Sequence, residues 1–333
     1  MRRIHVHIKN TPWNTAEAAE IFTISPERFA EGLAQHPDLA PFVETSFSLG
    51  EEDWPAALGD AEALVGWDVR VEAAAQAAPK LRLIHVIGAG VEHLMPMDWL
   101  PPQTTVVNSK GIHATRAGEF GLMAILMLHS HMPGLIEQQK RRAWASLYAS
   151  PIAGRTLLVI GVGSIGGAVA RRAKLLDIRV IGVSRHGRPA EGVDLMLTPD
   201  RLDEVLPEAD FVFVATPATG ETRDLLDRRR LSLMKPGAGL VNVGRAPVVD
   251  YDALTDLLHS GHIGGAILDV FEPEPLPPSS PLWSVPNLIV TPHVSADDGA
   301  SYARLTIDLF LRNLRRHLAG EPLLNVVRPE LGY

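Results

Sequence analysis

Apolar residues fall along this chain in short runs, separated by helical stretches and turn residues. At the start Ile4, Val6 and Ile8 alternate with His5 and His7, the period-two pattern of a strand with one buried face. The two histidines are then expected on an exposed face; metal ligation is the lesser reading, because no third ligand is evident. Residues 62–67 and 83–87 read as further strands, and the alanine-rich stretch 71–78 between them predicts a helix ended by Pro79. Thr105–Asn108 is another short strand. Strand and helix alternate, which predicts a parallel sheet.

Residues 114–145, rich in Leu, Met and Ala, predict a long helix that Pro133-Gly134 should kink or split. From Thr156 a second alternating series begins. Strands are expected at 156–160, 179–183, 210–215, 239–243, 265–268 and 288–291, with helical stretches between most of them, so this part predicts a doubly wound sheet of about six strands. Over 302–318 the residues Leu305, Leu309, Leu314 and Leu318, with arginines between them, predict an amphipathic helix.

The length of 333 residues suits two domains, and 46% hydrophobic with 21% charged residues fits a soluble globular enzyme. A net charge of −8 argues against nucleic acid or an anionic membrane as partner. The absence of cysteine excludes disulfides and thiolate metal sites and fits a reducing compartment, so a cytoplasmic location is expected and no metal is assigned. The charged N-terminus lacks the apolar core of a signal peptide, and no apolar run reaches the roughly 18–20 residues that span a bilayer.

The chemistry begins at Gly161, Gly163 and Gly166. They fit G-x-G-x-x-G between a predicted strand and a predicted helix: one glycine for the tight turn, one for close approach of a pyrophosphate, one for helix–strand packing. The helix that opens at Ser164 and Ile165 presents N–H groups and a partial positive charge to phosphates. In an NAD-binding unit a carboxylate at the end of the next strand accepts hydrogen bonds from the ribose 2′-OH. Here, 18 residues after Gly166, stand Ser184 and Arg185, with Arg188 close behind. A hydroxyl and guanidinium groups suit a 2′-phosphate, which favours NADP(H) over NAD(H). The alternative is a solvated basic loop.

Three more polar residues lie just past predicted strands, where open α/β sheets bind ligands. Asn-Val-Gly-Arg245 ends one strand, Asp269-Val-Phe-Glu-Pro-Glu274 another, and Thr-Pro-His293 a third. Each alone could be a surface residue.

Together, in this order and spacing, the glycine loop, Met-Lys-Pro-Gly-Ala, Asn-x-Gly-Arg, Asp-Val-Phe-Glu-Pro-Glu-Pro and Thr-Pro-His resemble the D-isomer-specific 2-hydroxyacid dehydrogenases over nearly the whole chain. The Ser184-Arg185 ending and the Leu-Ala-Gly-Glu-Pro-Leu-Leu-Asn325 tail look most like the NADPH-dependent glyoxylate/hydroxypyruvate reductase branch. The resemblance implies a Rossmann cofactor domain, 110–295, inserted in a flavodoxin-like α/β substrate domain, 1–109 with 296–333, and a cleft between them that closes on the substrate. It implies reduction of a small 2-oxo acid to the D-2-hydroxy acid. His293 would be the general acid, Glu274 the carboxylate that raises its pKa, and Arg245 the group that binds the 2-oxo acid and stabilises developing charge. Ala89, Gly90 and Val91 resemble the loop that holds the substrate carboxylate. Cofactor contacts are expected at Gly161, Gly163, Ser164, Ile165, Ser184, Arg185, Arg188, Thr216, Pro217, Thr222, Val243, Gly244, Asp269 and His293. The 114–145 helix, apolar at Leu122, Met123, Ile125, Leu126 and Leu128, would be a homodimer arm, with Trp144 at its end; packing within one chain is the alternative.

The chain departs from the family at Ala246-Pro247, where glycine usually follows the arginine, and at Val294–Asp298, where many members carry a glycine after the histidine. Glu92 stands where Asp is common. Glu274 argues against formate oxidation, Ala89 against phosphite oxidation, and the end at Tyr333 against the large phosphoglycerate dehydrogenases. Two rival readings stay open: a reductase of bulkier 2-oxo acids such as phenylpyruvate, and a non-enzymatic dinucleotide sensor like the transcriptional corepressors related to this family.

Overall fold

Two sheets, parallel throughout, organise the chain. The structure is a computed structural model and describes residues 3–13, 15–50, 58–70 and 78–331. The chain divides into two compact units, Met1–Ile112 with Asp298–Tyr333, and His113–Asp297.

The first unit holds β1 (Ile4–Asn10), β2 (Val43–Leu49), β3 (Ala63–Gly66), β4 (Leu83–Val86) and β5 (Thr105–Asn108) in the order β2-β1-β3-β4-β5. That is the flavodoxin-like strand order. Helices α1 (Ala16–Phe22) and α2 (Pro26–Ala34) and the C-terminal helix Tyr302–Ala319 share a core with Ile4, Val6 and Ile8 around Phe29 and Phe310. A second core, with Leu64, Ile84 and Val106, lies on the other side. The helix expected over 71–78 falls, but for Ala78, outside the described residues. β2 escaped the hydrophobic pattern because Val-Glu-Thr-Ser-Phe-Ser-Leu is an edge strand with no clean alternation of burial.

The histidine face of β1 is not exposed as the alternation suggests. His7 is fully buried and His5 half-buried. A parallel sheet is covered on both faces, so polar residues on the second face must find partners inside the protein. Ser46 and Ser48 on β2 supply them: His7 Nδ1 meets Ser46 Oγ at 2.8 Å and its Nε2 meets Ser48 Oγ at 3.0 Å, while His5 Nε2 shares Ser46 Oγ at 2.7 Å.

The second unit holds β6 (Thr156–Ile160), β7 (Arg179–Val183), β8 (Leu195–Leu197), β9 (Phe211–Val214), β10 (Ala238–Asn242), β11 (Ile263–Leu268) and β12 (Leu288–Val290), in the order β12-β11-β10-β9-β6-β7-β8. The sheet has seven strands where about six were expected, because β8 is a three-residue edge strand too short to read. The order in which successive strands are added reverses between β6 and β9, which makes their carboxyl ends the switch point where doubly wound sheets bind ligands.

The 114–145 helix is two helices and a tail. α3 (Ala114–His129) ends at Ser130, and α4 (Met132–Lys140) restarts after His131 at φ +55°. Pro133 sits in the first turn of α4, where its missing N–H has no intrahelical partner to lose. Ile125 and Leu128 of α3 belong to the unit's own core, whereas Met123 is exposed. Beyond Arg142 the chain runs without helix through exposed residues, among them Trp144 and Tyr148.

Candidate active site

The glycine turn after β6 is built by close backbone contacts. Gly161 has φ +94°, and a Cβ there would sit 2.7 Å from the carbonyl of Ala215, just past β9. A Cβ on Gly166 would strike the carbonyl oxygen of Gly161. Gly163 differs: a Cβ would meet nothing within 4 Å. Among the described residues no atom requires glycine at that position, and the space in front of it is open, as a closely approaching ligand would need. Gly163 is also the N-cap of α5 (Ser164–Lys174) and offers no side chain to the helix. The first N–H groups of α5, from Ser164 and Ile165, therefore have no side-chain cap, an arrangement that suits an anion. These features fit the pyrophosphate of a dinucleotide.

Around that turn the structure gathers most of the expected cofactor residues. Val243 N bonds to Val214 O at 3.0 Å, tying the ends of β10 and β9 together. A Cβ on Gly244 would lie 2.5 Å from Thr216 O, so glycine lets these backbones meet. After Pro217 the chain makes a tight turn in which the Thr222 hydroxyl accepts from Thr219 N at 2.8 Å and donates to Pro217 O at 2.6 Å. At the end of β7, Ser184 and Arg185 are half-buried and Arg188 is exposed. Arg185 Nη2 donates to Glu221 Oε2 at 2.6 Å, a partner the motif reading did not single out.

Three adjacent strands, β10, β11 and β12, deliver the other polar group. Asn242, last residue of β10, folds the Gly-Arg turn onto itself: its Oδ1 accepts from Gly244 N at 3.0 Å and its Nδ2 donates to Arg245 O at 3.1 Å. The same Nδ2 meets the hydroxyl of Tyr251 at 3.0 Å, and that hydroxyl donates to Val270 O at 2.8 Å. Asn242 and Tyr251 are positioning residues for Arg245; the asparagine was visible in the motif, and the tyrosine carried no signal.

Past β11, Asp269 is fully buried. Its Oδ1 accepts from the Thr291 hydroxyl at 2.6 Å and Val294 N at 3.0 Å, and its Oδ2 accepts from Ser295 N at 3.0 Å. It grips both flanks of His293. Glu274 turns back on its own loop: Oε1 accepts from Phe271 N at 2.7 Å, and Oε2 meets His293 Nδ1 at 2.8 Å.

The electrostatics follow from these contacts. The hydrogen bond to Glu274 raises the His293 pKa above its ordinary value, against burial and the charge of Arg245, which lower it. Burial would raise the Glu274 carboxyl, but the hydrogen bond and charge of His293, helped by Phe271 N and Arg245, outweigh it and hold Glu274 below the usual range. Nδ1 is therefore the donor to Glu274, and Nε2 is the nitrogen left to hand over a proton. Asp297, which the motifs did not flag, is pushed up to about 6 by burial, with the charge of Asp269 adding to the effect and His293 opposing it.

The Gly88–Val91 loop belongs to the first unit. Asn108 Nδ2 holds it by donating to Ala89 O at 2.7 Å, and Ser109 N bonds to Gly88 O at 3.0 Å. The N–H groups of Gly90 and Val91 have no acceptor among the described residues. Two successive free N–H groups suit an anion such as a carboxylate.

Residues 122–295 match the family described as D-isomer specific 2-hydroxyacid dehydrogenase, NAD binding domain. The chain belongs to that family and is an oxidoreductase with an NAD(P)-binding domain. It is 33% identical over 311 residues to glyoxylate/hydroxypyruvate reductase B of Pectobacterium carotovorum, covering 88% of this chain and 95% of that protein. It is 33% identical to a D-3-phosphoglycerate dehydrogenase of Mycobacterium tuberculosis over 74% of this chain, but spans only 46% of that enzyme. Among solved structures, a D-isomer specific 2-hydroxyacid dehydrogenase from Xanthobacter autotrophicus Py2, in complex with NADPH and MES, superposes with a TM-score of 0.83 at 30% identity, covering 100% of both chains. The NADPH-dependent glyoxylate/hydroxypyruvate reductase of Sinorhizobium meliloti, in complex with NADP and sulfate, gives 0.82 at 27% identity, over 99% of this chain and 100% of that one.

Proposed function

We propose that this enzyme uses NADPH to reduce a small 2-oxo acid, glyoxylate, hydroxypyruvate or a close analogue, to the D-2-hydroxy acid. The observation that carries the reading is the 2.8 Å bond between His293 Nδ1 and Glu274, which leaves Nε2 to act as acid. Bound NADPH supplies the hydride to C2 of the substrate.

His293 Nε2–H gives its proton to the carbonyl oxygen as the alkoxide develops. Glu274 stabilises the imidazolium beforehand, so the acid is charged when reduction begins. Arg245 binds the 2-oxo acid and offsets negative charge growing on its oxygen. Gly90 and Val91, with Ala89 beside them, hold the substrate carboxylate through backbone N–H groups. Asp269 keeps the His293 loop in place at the nicotinamide end of the cofactor site. The glycine turn with Ser164 and Ile165 holds the pyrophosphate, and Thr216, Pro217, Thr222, Val243 and Gly244 line the dinucleotide. Ser184, Arg185 and Arg188 receive the 2′-phosphate, which makes NADPH the preferred cofactor; the NADPH and NADP named with two similar structures support this.

The partner we propose is a second copy of the chain. Exposed Met123 on α3, and exposed Trp144 and Tyr148 beyond the helices, are the large apolar side chains that such a dimer would cover.

The decisive experiment is a panel of glyoxylate, hydroxypyruvate and phenylpyruvate against NADPH and NADH. Highest kcat/KM for a small acid with NADPH supports the proposal. A preference for phenylpyruvate or for NADH overturns the corresponding part, and no turnover of any 2-oxo acid points to a dinucleotide sensor.

A further inference from the structure

Arg185, the guanidinium proposed for the 2′-phosphate, is already engaged. Its Nη2 donates to Glu221 Oε2 at 2.6 Å. Glu221 comes from a different strand end: it sits in the turn after β9, between Thr219 and Thr222. That turn is stiff, because the Thr222 hydroxyl bonds to Thr219 N and Pro217 O, and Arg223 N bonds to Thr219 O at 3.0 Å. In the sheet, β6 lies between β7 and β9. An ion pair from the end of β7 to the loop after β9 therefore joins the two flanks of the crevice behind the glycine turn.

A carboxylate and a phosphate want the same thing from a guanidinium, parallel N–H donors in one plane. Glu221 already occupies Nη2, so a phosphate that takes a bidentate pair including Nη2 must displace it, and the two anions repel each other at close range. The Glu221 side chain is 72% exposed and that of Arg185 33% exposed, so the carboxylate can swing into water and regain hydration when displaced. The exchange is thus feasible, but it opposes phosphate binding. A cofactor without the 2′-phosphate meets no such contest.

We propose that Glu221 is the group Arg185 exchanges for the 2′-phosphate, and that it limits how strongly the enzyme prefers the phosphorylated dinucleotide. The proposal rests on the NADPH reading given above. It makes Glu221 a specificity-determining residue that lowers affinity for NADPH without making any contact that favours it.

The test measures binding directly. Isothermal titration of the full chain with adenosine 2′,5′-bisphosphate and with 5′-AMP isolates the contribution of the phosphate. Glu221→Gln should bind the bisphosphate about three- to tenfold more tightly, from the lost exposed ion pair together with the lost repulsion, and 5′-AMP within about twofold of wild type. The gain should shrink at high salt, which screens exposed charges, and shrink again in an Arg185→Ala background, where there is no guanidinium to compete for. Unchanged or weaker bisphosphate binding by Glu221→Gln, with Arg185→Ala still losing affinity, overturns this inference and leaves the NADPH reading standing. If wild type and Arg185→Ala both bind the bisphosphate no better than 5′-AMP, the NADPH reading fails and this inference fails with it.

Discussion

Replacing Glu274 with glutamine tests the proton-donor assignment with little change of shape. In the native loop each carboxylate oxygen accepts one hydrogen bond, Oε1 from Phe271 N at 2.7 Å and Oε2 from His293 Nδ1 at 2.8 Å. Glutamine has a single carbonyl oxygen, so one of these donors loses its acceptor. The imidazolium also loses its anion. A hydrogen bond to a charged group contributes about 1.5–3 kcal/mol. The His293 and Glu274 side chains are 46% and 36% exposed, so water screens the pair and the lower part of that range applies. About 1.5 kcal/mol corresponds to roughly a tenfold loss in kcat/KM. The pH dependence carries more information than the size of the loss. In the proposed mechanism His293 acts as its protonated form, and Glu274 raises its pKa, so reduction by wild type should fall only as pH rises through that raised value. In Glu274→Gln burial and the charge of Arg245 still push the His293 pKa down, and of the groups that raise it only the charge of Asp269, the smallest influence, remains. The alkaline limb should therefore move to lower pH, leaving a deficit that is largest in alkaline buffer and closes towards acid. The assay is kcat/KM for glyoxylate with NADPH from pH 5.5 to 9.5. Two parallel profiles, with the same inflection and a lower plateau in the variant, would show that Glu274 fixes geometry only and refute the electrostatic account.

Gly163→Ala should leave the melting temperature nearly unchanged, since its methyl meets nothing, yet weaken NADP binding by tenfold or more; Gly166→Ala should instead lower the melting temperature by about 3–10 °C through overpacking. Calorimetry and cofactor titration separate the two, and tight cofactor binding by Gly163→Ala would count against the pyrophosphate assignment. Burial lowers His7 and His113 to about 4 and His85 to about 3, so below pH 6.5 the unfolded chain binds more protons than the folded one. Stability is then present above pH 6.5 and lost towards pH 4, by up to about 1.4 kcal/mol per pH unit for each histidine; a melting temperature that stays flat from pH 7 to 4.5 would contradict this. Sedimentation at micromolar concentration should give a dimer that Trp144→Ser with Tyr148→Ser weakens, whereas a wild-type mass near 36.1 kDa would exclude it.

What the sequence made legible follows from where chemistry is written locally. Gly161 and Gly166 could be read because a turn and a helix packed on a strand leave no room for Cβ. Arg245, Glu274 and His293 could be read because each closes a strand-and-turn motif. Contacts made across the sheet were not legible. The Glu221 pair with Arg185 links the end of β7 to the loop after β9, 36 residues apart, and nothing at either end announces the other. β1 was misread for a related reason: alternation shows that two faces differ, but not that the polar face is also covered. His7 is polar and buried, and only the serines at 46 and 48, on a strand that itself went unread, make that affordable. Likewise Pro133 marked a break in the long helix correctly, but the turn at His131 and the departure from helix after Arg142 depend on φ angles that no residue there dictates.

The spacing of the polar group follows from the sheet. β10, β11 and β12 are neighbours and parallel, so whatever follows each strand arrives at the same end of the sheet. Arg245 comes directly off β10. The loop after β11 has to do two things, and it does them in order. Asp269, at the strand end and fully buried, takes Thr291, Val294 and Ser295; Glu274, after a turn fixed by Phe271 N, reaches the imidazole. His293 has φ +54°, a left-handed conformation that costs a residue with a Cβ roughly 1–2 kcal/mol. Three hydrogen bonds from the residues on either side of it to one buried carboxylate can hold that conformation, where a lone surface loop would relax. Asp269 thus acts through the backbone, and Glu274 through the ring. The departure from the family after the histidine is compatible with this division: a glycine there would ease the turn, but Val294 and Ser295 contribute N–H groups that any residue except proline supplies, so the exposed side chain of Val294 can differ while the imidazole stays where Asp269 holds it.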